Sequence, residues 1–125
     1  MGADDLDLIR RAMVRAVPMR AACRGHVRLF CPHVLGTTDG DWRLLAWQFA
    51  GGSARGLPQD GDWRCFALAD LSGLAIVEGP WRRGWSRRRT EQSCVETIDT
   101  LVATSLQALP GRPIRQGEGR WPGPV

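Results

Sequence analysis

The chain contains no lysine, so all of its basic side chains are arginine. A guanidinium offers a planar fork that suits phosphate and carboxylate and also stacks on aromatic rings, which makes an anionic ligand physically reasonable. A GC-rich genome would leave the same bias. The net charge of +4 is too small to require nucleic acid. No C-x-x-C pair occurs among Cys23, Cys31, Cys65 and Cys94, which removes the zinc-ribbon pattern. Cysteines in apolar surroundings read first as small buried hydrophobes, with a disulfide or a metal site as the alternative. No apolar run approaches the roughly 20 residues needed to span a bilayer, and the acidic start is unlike a signal peptide. A cytoplasmic protein with no membrane association is expected. No serine or cysteine sits in a recognisable nucleophile motif beside the two histidines, so neither an enzyme nor a cofactor is expected.

What remains is enough for one packed domain. The 125 residues fall within the usual size of a single domain. The apolar fraction of 43% lies near that of ordinary globular chains. Leu6, Ile9, Met13 and Val17 recur at helical spacing, with Asp residues in the first turn, Arg residues later and Pro18 as a stop. The spacing predicts an amphipathic helix. From Met19 the period falls to two. Residues 19–23 and 26–31 flank Arg24-Gly25 as a hairpin, and Pro32 is expected to end the second strand. A turn over residues 37–41 leads to a third strand at 42–50 and a long Gly/Ser/Pro/Asp loop at 51–62. A fourth strand at 63–68, a turn, and a fifth at 74–77 follow. The expected class is α+β, mostly β: one N-terminal helix on a small, bent five-stranded sheet or barrel.

Beyond residue 79 the pattern weakens. Trp81, Arg82, Arg83, Trp85, Arg87, Arg88 and Arg89 form a basic segment whose rings and guanidiniums could stack on and pair with a single-stranded nucleic acid, or form a solvated connector. Residues 94–106 fit both periods, and a strand is expected at their start. Residues 1–79 are expected to form the domain, 80–106 the connector with an added strand or helix, and 107–125 a Pro/Gly/Arg-rich tail.

The order of landmarks resembles the WYL domain, found mostly in bacterial transcription regulators. Arg28 and Pro32 match the end of its first strand pair, Trp42-Arg43-Leu44 stands at its naming triplet, and Arg64-Cys65-Phe66-Ala67-Leu68 matches its Arg-x-Phe-x-Leu strand. Short stand-alone relatives with a Pro-His-x-Leu-Gly segment and a Gly-Gly-x-Ser loop are similar to Pro32-His33-Val34-Leu35-Gly36 and Gly51-Gly52-Ser53. The likeness covers roughly 75 residues, given the usual lengths of such strands. It implies an Sm-like or SH3-type barrel and a role in sensing nucleotide-like or nucleic-acid effectors, usually beside a DNA-binding helix-turn-helix. Here the leading element is one expected helix. The chain departs at two positions: Arg43 replaces a tyrosine, and Asp70 stands where the family tends to carry a basic residue.

The expected ligand site is Arg28, Arg43 and Arg64 as guanidinium clamps, with His33 and Gln48 as orienting hydrogen-bond groups. Each arginine also reads as a surface residue covering apolar area with its stem. His26, Cys31 and His33 could form a metal site, which Pro32 disfavours. Trp42, Trp47 and Trp63 read as core. The alternative function is a module that docks a partner protein or a second copy of itself through a strand edge.

Overall fold

The computed structural model describes residues 2–84 and 93–102. Helix α1 spans Ala3–Arg15, with Asp4 and Asp5 in its first turn and Arg15 in its last, charges that complement the helix dipole. It ends two residues before the expected Val17. Ala16 turns left-handed at φ 53° and its N–H closes on the Ala12 and Met13 carbonyls, ahead of Pro18.

Six strands follow among the described residues: β1 (Met19–Cys23), β2 (His26–Thr38), β3 (Asp41–Gly51), β4 (Asp62–Ala67), β5 (Leu71–Ile76) and β6 (Thr97–Leu101), with a 3-10 turn at Leu68–Asp70. All pairings are antiparallel, in the order β4-β3-β2-β1-β5, and β6 adds to β2. β4 and β5 end that order without pairing to each other, so this is an open sheet of six strands rather than a closed barrel of five. The hairpin at Arg24-Gly25 has φ 50° and 81°, the left-handed pair a tight two-residue turn requires.

The largest departure from expectation is β2, which runs through Pro32 to Thr38. One edge of β2 pairs with β3 along nearly its whole length. The other pairs with β1 over residues 26–30 and with β6 over residues 34–37. Pro32 falls in the gap between those neighbours, where its missing N–H interrupts no ladder on that edge, and the β3 pairing absorbs it in a bulge between Pro32 and Val34. β6 takes up the expected strand within residues 94–106 and is hydrogen-bonded into the same sheet.

The pleat divides the core into two layers. Phe30, Leu44, Ala46, Phe66 and Leu68 pack with Ile9, Ala12 and Met13 of α1 on the helix face. Val34, Leu45, Trp47, Trp63, Cys65, Cys94 and Val95 form a second cluster on the outer face. Trp47 and Trp63 are core as expected, while Trp42 is half-buried beneath the Arg10 guanidinium. A disulfide joins Cys65 of β4 to Cys94; Cys23 and Cys31 are the buried thiols. Gly36 is required where the chain re-enters the sheet, because a Cβ there would meet the Thr97 carbonyl and the Val95 side chain. No described helix is long and apolar enough to cross a membrane.

Candidate anion-binding site

Strand alternation sorts the expected site residues. Gln48 pairs with Phe30 and Asp62, and Ala46 pairs with Arg64, so Gln48, Asp62 and Arg64 share the helix face with Phe30 and Phe66. Arg28 lies two residues before Phe30 on that face. Together they form a polar end to an otherwise apolar layer. Arg28 Nη1 donates to Gln48 Oε1 at 3.3 Å and Nη2 to the Cys23 carbonyl at 3.1 Å. Gln48 Nε2 donates to the Ala50 and Gly52 carbonyls at 3.1 and 3.0 Å, which fixes the amide with its oxygen toward Arg28. Arg64 Nη1 reaches Asp62 Oδ2 at 3.2 Å and the Trp63 carbonyl at 3.3 Å, and Nη2 donates to the Gly56 carbonyl at 2.9 Å.

Both guanidiniums are almost out of solvent: Arg28 is 1% exposed and Arg64 3%. No carboxylate among the described residues lies within salt-bridge distance of Arg28, and the one beside Arg64, Asp62, is itself 45% exposed. The Nε of each arginine is buried with no hydrogen-bond partner among the described residues. Burial pulls the Arg64 guanidinium below its usual range; Asp62 opposes this, while the charges of Arg55 and Arg28 add to it. A buried cation without a counter-charge costs several kcal/mol, roughly, unless something compensates it. Phe66, whose ring centroid lies 5.9 Å from the Arg28 guanidinium, supplies a small part of that.

Arg43 and His33 are not brought to this cluster. Arg43 pairs with Gly36 and Ala67, at the opposite end of β3 from Gln48, and alternates onto the outer face with Leu45 and Trp47. An odd separation from Ala46, the partner of Arg64, accounts for this. His33 lies at the β2 bulge on the outer side, fully buried, with its ring 4.9 Å from Trp63 and 4.6 Å from Trp81. Its Nε2 donates to the Arg82 carbonyl at 3.1 Å, since a carbonyl can only accept. Burial pulls the imidazole down to about 4, so the ring is neutral at physiological pH.

The basic segment starts at Trp81, which also packs against the helix-face cluster, and continues from Arg82 as a strap over the outer aromatic layer. Trp81 packs on His33, the Arg82 N–H reaches Cys31 Sγ, and the Arg82 guanidinium stands 3.8 Å from the Phe49 ring centroid. Gly84 lies so close to Trp47 and Trp63 that a Cβ would overlap them. Trp81 is thus spent on packing rather than held out as a stacking platform, and Arg82 and Arg83 carry exposed side chains. Trp85, Arg87, Arg88 and Arg89 lie outside the described residues, as does the expected tail at 107–125. Among the described residues no three His, Cys, Asp or Glu side chains are grouped to hold a metal; His26, Cys31 and His33 face Gly52, Arg82 and Trp81 respectively.

The site members not anticipated are Asp62 and the backbone carbonyls of Cys23, Ala50, Gly52, Gly56 and Trp63. Asp62 carried a signal, two residues before Arg64 and therefore on its face. The carbonyls carried none, because any residue supplies one. Comparison with family models, curated proteins and solved structures returned no match for this chain.

Proposed function

We propose that this chain is a WYL-like binding module, not an enzyme, that takes an anionic nucleotide-like or nucleic-acid ligand in a regulatory setting. The observation that carries the reading is the pair of buried guanidiniums on one face of the sheet, Arg28 with no counter-charge among the described residues. Gln48 orients Arg28, and a phosphate would supply the missing negative charge. One helix leading five consecutive antiparallel strands, with a 3-10 turn between β4 and β5, supports an Sm-like or SH3-type relation. The cytoplasmic setting belongs to the same proposal. There the Cys65–Cys94 pair would be held largely as thiols, so compartment and bond state have to be measured together.

The test is titration with nucleotides and single-stranded oligonucleotides at low and high salt. Affinity should fall with salt, with a slope of about −0.7 per phosphate contact for a single strand, and the Arg64→Gln variant should weaken it. Absence of binding at low salt defeats the reading. A second reading, docking of a partner chain or a second copy, draws on the outer edges of β4 and β5, unpaired among the described residues, and on Val27, 56% exposed on β2. A concentration-independent dimer by light scattering, without anion binding, would favour it.

A further inference from the structure

We propose that this site selects a terminal phosphate over an internal phosphodiester, and admits it by exchange for the Gly56 carbonyl on Arg64. The inference rests on the anion-site reading and narrows its ligand class. An internal phosphodiester carries a nucleoside on both sides and needs a groove open at two ends. Arg28 and Arg64 sit instead at 1% and 3% exposure, inside the polar end of the helix-face layer. A terminal phosphate has one substituent and three free oxygens, so it can enter end-on.

The donors available match such a group. Arg28 Nε and Arg64 Nε are buried and unpartnered among the described residues. Arg64 Nη2 becomes a third donor once it leaves the Gly56 carbonyl, now 2.9 Å away. Nε and Nη2 of one guanidinium form the side-on fork that grips two oxygens of one phosphate. Charge points the same way. A monoester carries about −1.5 to −2 at neutral pH and a diester only one charge, while the site holds two buried cations against one half-exposed carboxylate. The loop of residues 52–61 closes the site with its own backbone: Gly52 accepts from Gln48, Gly56 accepts from Arg64, and Arg55 stands exposed between them. A carbonyl is a neutral, weaker acceptor than a phosphate oxygen, so the exchange replaces a neutral hydrogen bond by a charge-assisted one.

The experiment compares pentathymidylates bearing a 5′-phosphate, a 3′-phosphate or no terminal phosphate, titrated against the full chain at low salt. A phosphorylated form is expected to bind about tenfold tighter or more, the size of one added charge-assisted hydrogen bond. Arg64→Gln is expected to erase that preference. Trypsin cleavage after Arg55 should speed up when the phosphorylated oligonucleotide is bound. Equal affinity for the unphosphorylated form overturns the selection for chain ends, and slower or unchanged cleavage at Arg55 overturns the exchange. Binding by none of the three defeats the anion-site reading itself, a distinct result.

Discussion

The two faces of the sheet bury polar groups in opposite ways. On the outer face His33 sits among Trp63 and Trp81 and gives up its charge, its pKa pulled down to about 4. On the helix face Arg28 and Arg64 cannot do the same, because a guanidinium keeps its proton under any ordinary condition. On the outer face the histidine has settled its charge internally, as a neutral ring on a carbonyl, although the Arg43 Nε is buried there without a hydrogen-bond partner among the described residues. The other retains two cations and a single half-exposed carboxylate. What separates the faces is that the outer histidine is neutral while the helix-face guanidiniums stay charged and almost fully buried.

Removing the covalent link on the outer face should have the largest effect. The double change Cys65→Ser and Cys94→Ser, or reduction, is expected to cost about 2–4 kcal/mol in urea unfolding, the chain-entropy value for residues 29 apart. Little loss would mean the outer layer holds together by packing alone.

The next effect follows the pH. Because the folded His33 pKa lies below its ordinary 6.5, the unfolded chain binds more protons between those values, and stability falls as pH drops from above 6.5 toward about 4. The His33 contribution amounts to about 3 kcal/mol across that window. A His33→Gln variant should flatten the slope there, as read by unfolding at a series of pH values. An unchanged slope would show that the ring is solvated.

Arg28→Met should act in the opposite sense, raising stability by about 1–3 kcal/mol because an uncompensated buried charge is replaced by an apolar stem, while weakening anion binding. Loss of stability instead would show that the helix face is already balanced. The smallest effect is expected from Arg43→Gln, which should leave ligand affinity within about twofold, since the residue stands on the other face. A large drop would undo the division between the faces.

Much of this was readable from local chemistry. The helix, the Arg24-Gly25 hairpin and the strands around Trp42 and Phe66 follow from spacing and turn residues, which act over a few positions. The course of β2 through Pro32 was not, because it depends on which strand lies alongside residues 31–33. That depends on β6, 67 positions further on by the Val34–Leu101 pairing. The Cys65–Cys94 bond is non-local in the same way. At the site, strand alternation separates Arg43, which shares a face with Leu45 and Trp47, from Arg64, which shares one with Phe66. What it could not supply was the bulge between Leu29 and Phe30, or the loop carbonyls that hold Gln48 and Arg64.

The second edge of β2, handed from β1 to β6, also carries a consequence for the order of assembly. The β1–β2 hairpin joins neighbours in the chain and can close early, at little entropic cost. β6 has to return from a long excursion after β5, and its nearest covalent tether is Cys94, three residues before Thr97. With the bond closed, that return is short; with the thiols free, it spans the stretch back to Ile76. β6 is therefore the strand whose amides should exchange first with solvent, and reduction of the Cys65–Cys94 bond should speed that exchange.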